Sequence, residues 1–434
     1  MSADTKTQAQ VLARWRGMGA LLAVAFYSLF FAAHRQLQET PAHVRDAVIF
    51  EARSQSVFLA LTEPRERDKR GIGAEHPAFV LLHQPPVQLL MKGWLALGLD
   101  LNSARKHGVA MLTGAAGALS VVMVYHALLW SGIGRMRALM LAAVHGAGTG
   151  TLMMAALPEV WIFAGMSVAA LAAVTARGAL APWWLHLAAA AYAVSCFIGS
   201  VIAVVLFGLV RCAQDTALNR RFTPGPLLVT LAALTLAFGL ANTQRAVFPL
   251  SPPLPEDLLS WRVRDAGWPA GESLPGRVTR EIFLTNLVAP PMPVTRSDPG
   301  GTRSARRIVV LDDADWSRMD WQKGVGGGWL LLLALACAGL CWRARLDPYA
   351  LGILAALAWT VAALAWHGSP GRLLLHACLW TPLVVIAAGL GLERALEHWP
   401  RLRWPVALLL AAFLAAQVTR NWAFLQQVAQ EARL

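Results

Sequence analysis

Residues 71–94 read GIGAEHPAFVLLHQPPVQLLMKGW, and their reading decides the topology of the whole chain. From Ala78 to Leu99 the stretch is apolar enough for the ~20 residues that cross a bilayer. It nevertheless carries His83, Gln84, Lys92 and the adjacent pair Pro85 and Pro86. If it spans, every later loop changes side, and different residues share a site.

Of the 434 residues, 56% are hydrophobic and 15% charged. A soluble domain carries about a quarter charged residues, so the composition is that of an all-α polytopic membrane protein. Runs long enough for transmembrane helices fall near 17–33, 108–131, 138–156, 159–175, 180–195, 197–211, 225–242, 327–342, 349–366, 373–391 and 404–419, about eleven in all. The net charge of +13 sits largely in short loops beside these runs, where it orients the chain, and no nucleic-acid partner is expected. Arg14 and Arg16 precede the first run without a convincing small-residue cleavage site, which reads as an uncleaved first helix. The five cysteines lie in or at the ends of apolar runs and form neither a disulfide framework nor a metal motif.

Lys and Arg positions choose between the two topologies. With residues 71–94 outside the membrane core, Lys6, Arg14, Arg16, Arg135, Arg137, Arg177, Arg211, Arg220, Arg221, Arg343, Arg345, Arg394, Arg401 and Arg403 all share the cytoplasmic side with the N-terminus. With the stretch spanning, nearly all the short-loop arginines after it face outward, against the positive-inside rule. The stretch is therefore read as an interfacial helix broken by its prolines, with Lys92 and Trp94 at headgroup level. It belongs to a first external loop of about 34–107. One other external segment is large, about 243–326.

Residue types that carry chemistry then collect on the outer side. HVRDAVIFEARSQSVF reads as a short amphipathic helix in which Asp46, Phe50 and Arg53 share a face at i, i+4 and i+7. A carboxylate with an arginine along the same face suits a general base beside a phosphate-binding cation, or a solvated face with an ion pair. His76 stands before Pro77 where a charged loop turns into the interfacial helix. Glu159, in MAALPEVWIFAG, is the only charged residue between Arg137 and Arg177. It fits either a favourable first-turn acid or an isolated functional one. In AWHGSPGRLLLHACLW, Arg372 and His376 are four apart and suited to clasp a phosphate, or to snorkel and bond between helices. Asp313 and Asp315 form a D-x-D pair that is a common turn composition and a weak metal signal.

The long first external loop with an early acid and a later His-Pro-plus-apolar helix, the short Pro-Glu second loop and the large late loop together resemble the polytopic GT-C-type membrane glycosyltransferases. Within that superfamily the pattern is similar to the polyprenyl-phosphate-sugar-dependent enzymes of the protein-mannosyltransferase and aminoarabinose-transferase kind. The resemblance covers roughly 15–210 and, more loosely, 345–390, with WHGSPGRLLLH in the place of a donor-binding turn.

The resemblance implies a GT-C-like fold in three parts: an N-terminal transmembrane catalytic module over 1–242 that includes the loop 34–107, an external loop subdomain over 243–326, and C-terminal transmembrane helices over 327–434. It implies inverting transfer of a sugar from a polyprenyl-phosphate donor to a lipid or glycan acceptor on the periplasmic face. Asp46 would be the general base and Glu159 the second acidic position. Arg53, His76, Arg372 and His376 would serve the substrate, with membrane lipids around them. The implied location is the bacterial inner membrane, with the N-terminus cytoplasmic and the C-terminus periplasmic.

Two departures bear on substrate and cofactor. Ala47 follows Asp46 where protein-mannosylating relatives carry a second acid, which weakens a protein acceptor. The metal-binding pattern of oligosaccharyltransferases is missing from the loop, so no cofactor and no obligatory divalent metal are expected. An O-antigen ligase or polymerase is the alternative within the same chemistry, and a polytopic lipid or solute transporter, with His126, His145 and His186 as its intramembrane candidates, is the alternative outside it.

Overall fold

The computed structural model describes residues 3–43, 45–46, 48–50, 52–64, 72, 76–219, 223–251, 281–289, 293–298, 306–311, 320–342, 347–367 and 373–433. Fourteen α-helices are numbered here in chain order among those residues. They are α1 Ala3–Leu37, α2 Ser54–Thr62, α3 Phe79–Ala96, α4 Leu101–Trp130, α5 Arg135–Ala147, α6 Thr149–Ala156, α7 Trp161–Ala176 and α8 Trp183–Cys196. The remainder are α9 Ser200–Asn219, α10 Gly225–Val247, α11 Asp320–Trp342, α12 Pro348–His367, α13 Leu373–His398 and α14 Arg403–Arg433. The all-α expectation needs one correction: β1 Pro293–Asp298 and β2 Arg306–Leu311 pair antiparallel as a small sheet, with Val294 opposite Val310.

Seven helices are long and apolar enough to cross a membrane, or eight if α5 and α6, bent by 56° at their junction, make one span. The expected count of about eleven is therefore not confirmed among the described residues. Apolar composition runs on where the helices do not: α7 has 16 residues and α8 has 14, about 24 and 21 Å against a hydrocarbon core of about 30 Å.

Helix α3 is not among these seven helices. It does not break at Pro85 and Pro86; the helix continues through both. Gln84 donates to the Glu63 carbonyl at 3.0 Å, and Gln88 to those of Leu61 and Thr62 at 3.2 and 2.9 Å. These glutamines tether α3 on both sides of the prolines and satisfy carbonyls around the C-terminal end of α2. Gly98, with φ +87°, turns the chain into α4, whose N-terminus Asp100 caps through bonds from Asn102 and Ser103.

The bundle centres on α4. Small residues let its neighbours approach closely: a Cβ on Gly117 would lie 2.8 Å from the ring of Phe30 in α1 and 2.9 Å from Ala155 in α6. Ion pairs mark the two ends. At one, Arg433 of α14 meets Glu39 just beyond α1 at 2.9 Å, and Arg105 meets Glu63 at 2.8 Å. At the other, Arg137 pairs with Glu393 at 2.6 Å and Arg394 with Asp347.

The described part of the large late segment enters the bundle. A single π-type turn, Glu281–Thr285, leads to Asn286 and Leu287, and Ile282, Leu284, Leu287, Val288 and Ala289 are buried. This segment fills the break between α5 and α6. Gly150 donates to the Asn286 carbonyl at 2.9 Å, while Asn421 donates to the carbonyls of Ala147 and Leu287 at 2.7 and 2.6 Å. Gln417 adds bonds to the Val144 and Leu287 carbonyls. Backbone groups exposed by a bend inside a bundle must find partners, and here the late segment and α14 provide them.

Candidate active site at one end of the bundle

The expected amphipathic helix through Asp46, Phe50 and Arg53 does not form. Residues 45–46, 48 and 50 are turn and bend, Ile49 is a bridge residue, and α2 begins only at Ser54. Phe50 stops any helix there: its φ is +50°, a region that a bulky side chain adopts only under tertiary constraint. That constraint is visible, because the buried Phe50 ring stacks on Phe424 of α14 at 6.3 Å and 6°.

Asp46 is exposed and reaches across this turn to α2. Its Oδ1 accepts from the Ser56 backbone N–H at 2.9 Å, and its Oδ2 accepts from the Ser56 hydroxyl. The carboxylate thus caps α2 from ten residues upstream. Arg53, at the N-cap position, provides no side-chain cap of its own.

Glu159 lies in the short connection between α6 and α7 and is 1% exposed. Burial pushes its pKa up to about 8, with the nearby charge of Asp46 raising it further; the backbone N–H groups of Val160 and Arg53 and the Arg53 charge oppose the shift. Oε1 of Glu159 is buried with no hydrogen-bond partner among the described residues. The fold therefore brings Asp46, Arg53 and Glu159 within electrostatic reach of one another, although no common helix carries them.

Two residues after Glu159, Trp161 opens α7 and gathers the two candidate imidazoles. The His76 ring lies 5.0 Å from the indole at 77°, and the His376 ring 4.2 Å from it at 72°. Phe197 packs against the same indole at 5.3 Å. His76 is buried, and its Nδ1–H donates to the Cys196 carbonyl at 2.6 Å. With Ala78 N–H bonded to the Ser195 carbonyl, the His-Pro turn is fixed to the end of α8. Arg372 lies outside the described residues.

His83 serves the packing of α3. Its Nδ1–H donates to the Phe79 carbonyl at 2.7 Å, its Nε2 lies 2.8 Å from the Tyr192 hydroxyl, and its ring packs on Phe79 and Phe163. Burial lowers its pKa to about 4 and keeps it neutral. Among the described residues no group of three or more His, Cys, Asp or Glu is arranged to hold a metal ion; Asp313 and Asp315 lie outside those residues.

Sequence reasoning missed Trp161 and Ser56. Trp161 follows LPEV and looks like one more apolar residue of a helix, while Ser56 looks like an ordinary polar residue of α2. The only available signal for Trp161 was its place beside an isolated glutamate.

No protein-family model matches the chain, and no curated protein matches it. Among solved structures, the chain is similar to the S. cerevisiae protein O-mannosyltransferase Pmt1-Pmt2 complex bound to the sugar donor, with a TM-score of 0.35 and 14% identity. The similarity covers 70% of this chain and 44% of that one, so this chain spans less than half the length of that relative.

Proposed function

We propose that this chain is a membrane glycosyltransferase that moves a sugar from a polyprenyl-phosphate donor to a lipid or glycan acceptor at the periplasmic face. One observation carries the reading: Asp46 and Arg53 lie within electrostatic reach of Glu159 just before α7, where Trp161 packs against both His76 and His376. Four separate stretches of sequence supply a base, a cation and two imidazoles to one end of the bundle. Sugar transfer from a lipid phosphate needs a base for the acceptor and positive or hydrogen-bonding groups for the leaving phosphate.

The reaction is a single displacement. The acceptor hydroxyl gives its proton to Asp46 as its oxygen bonds to the anomeric carbon. The bond from that carbon to the phosphate oxygen breaks, its electron pair leaves with the lipid phosphate, and configuration inverts. Arg372 and His376 hold the phosphate, Arg53 adds positive charge, and His76 frames the donor pocket against Trp161. The residues require no cofactor for these steps.

The transporter alternative draws on the bent pair α5–α6, since discontinuous helices build substrate sites in transporters. In this chain Asn421, Gln417 and the segment 281–289 occupy the freed backbone groups, and His145 bonds Ser120 between helices at 2.9 Å. These contacts favour a closed structural bend. The ligase alternative needs the late loop as a working surface, whereas the described residues 282 and 284–289 are buried.

The test uses purified protein in lipid nanodiscs with a panel of radiolabelled polyprenyl-phosphate sugars and crude envelope lipid as acceptor. Labelled product together with free polyprenyl phosphate supports the proposal. Absence of turnover across the panel, with reconstituted vesicles moving labelled lipid between leaflets, replaces it with the transporter reading.

A further inference from the structure

A buried carboxyl with one unpartnered oxygen is incongruous in a site for a phosphate-bearing ligand, because an ionised Glu159 would repel it. The residue is almost wholly enclosed, and its Oε1 has no hydrogen-bond partner among the described residues. A buried carboxylate without full hydrogen bonding is costly, whereas a neutral carboxyl offers an O–H donor. The position is otherwise suited to an anion. Helix α7 begins at Trp161 with no side-chain cap, and its first turn carries the positive end of the helix dipole.

We propose that Glu159 works in its neutral form, donating its carboxyl O–H to a phosphate oxygen of the lipid-phosphate ligand at the start of α7. This rests on the glycosyltransferase reading for the ligand class and goes beyond it in assigning the chemical form and partner of Glu159. The site then takes its ligand only with a proton on Glu159, so ligand affinity is linked to pH.

The charged and titratable groups facing Glu159 are Asp46 and Arg53 from the loop and start of α2, and Cys378 from α13. His76 and His376 stand one residue pair away on Trp161. Asp46 opposes ionisation of Glu159 and Arg53 favours it; burial outweighs both and places the transition at about pH 8. A phosphate monoester passes the midpoint of its own second ionisation near pH 6, below this window.

The experiment measures binding of sugar-free polyprenyl phosphate to the full chain in nanodiscs between about pH 7 and 9, alongside infrared difference spectra of the protonated-carboxyl C=O stretch. Wild type is expected to lose affinity by roughly tenfold per pH unit once Glu159 ionises. Glu159→Gln, which keeps a donor and loses the titration, should bind within a few-fold of wild type at pH 7 and show no fall. Cys378→Ala should retain the wild-type profile.

The carboxyl band should be present at pH 7, absent in Glu159→Gln, and should persist to higher pH when ligand is bound. Equal pH dependence in wild type and Glu159→Gln overturns this inference alone. A protonated Glu159 in a protein that binds no polyprenyl phosphate at any pH overturns the ligand reading together with it. Should Glu159→Gln not fold, the wild-type band decides: a ligand that leaves its titration unmoved overturns the inference.

Discussion

Ser56 gives both its backbone N–H and its hydroxyl to Asp46, one to each carboxylate oxygen. The same side chain is thus the cap of α2 and the proposed base, and the two roles separate by substitution. Asp46→Asn retains an acceptor for the Ser56 N–H and should cost at most about 1 kcal/mol, while transfer falls by roughly 10²–10⁴-fold. Ser56→Ala should cost a similar ~1 kcal/mol with a much smaller loss of rate. Denaturation midpoints and initial rates on the same preparations check both, and a rate loss that merely tracks stability would leave Asp46 only its capping role.

The stability of the folded chain should carry the signature of Glu159. A solvated glutamate titrates near 4.5 and this one near 8, so the fold holds a proton that the unfolded chain has already released between those values. The contribution is whole below pH 4.5 and is lost progressively as pH rises through about 8. Tm in detergent at constant ionic strength should therefore decline across this window, and Glu159→Gln should flatten the decline. An identical slope in wild type and variant contradicts the buried acid.

Trp161 presents one indole to two imidazoles, and aromatic pairs of this kind contribute about 0.5–1.5 kcal/mol each. Trp161→Ala should raise the donor KM by roughly tenfold, since both rings lose their support. Trp161→Phe should recover most of that affinity. If the alanine and phenylalanine variants share one KM, the indole does not position the histidines.

The bend between α5 and α6 depends on Asn421, which donates to the carbonyls of Ala147 and Leu287 and accepts from the N–H of Ala289. Asn421→Leu removes these bonds within a buried setting and should destabilise the chain by about 1–3 kcal/mol. Limited proteolysis should show 281–289 cleaved faster than in wild type. Unchanged cleavage would mean that the segment is held by its apolar contacts alone.

These elements differ in how far a sequence could disclose them. Residues 79–96 were legible as a helix, because their apolar run is long enough for one, and loop arginines supply an expectation of sidedness without reference to packing. The stretch from Asp46 to Arg53 was not, because its apparent helical spacing is overridden at Phe50 by a contact with Phe424, almost four hundred positions away in the chain. Local spacing cannot register that contact.

Glu159 stood out by charge, and His76 and His376 by type and side, yet their common neighbour Trp161 is one apolar residue among many. The excess of expected spans has a related cause. Hydropathy measures composition, whereas helix length here is set by the bend at Gly148, the connection around Pro158 and the break before Pro182, where α6, α7 and α8 begin or end. The burial of 284–289 was equally hidden, because their partners Asn421, Gln417 and Thr381 lie on helices distant in sequence.

Sugar transfer from a lipid phosphate at this end of the bundle, with Asp46 as base, is the proposed reaction. Its most direct measurement is the rate of product formation from a turned-over polyprenyl-phosphate sugar, compared between wild type and Asp46→Asn in nanodiscs at matched folded fraction. Product with inverted anomeric configuration is expected from wild type, with a loss of roughly 10²-fold or more in the variant. Equal rates in the two proteins, or retained configuration in the product, would contradict it.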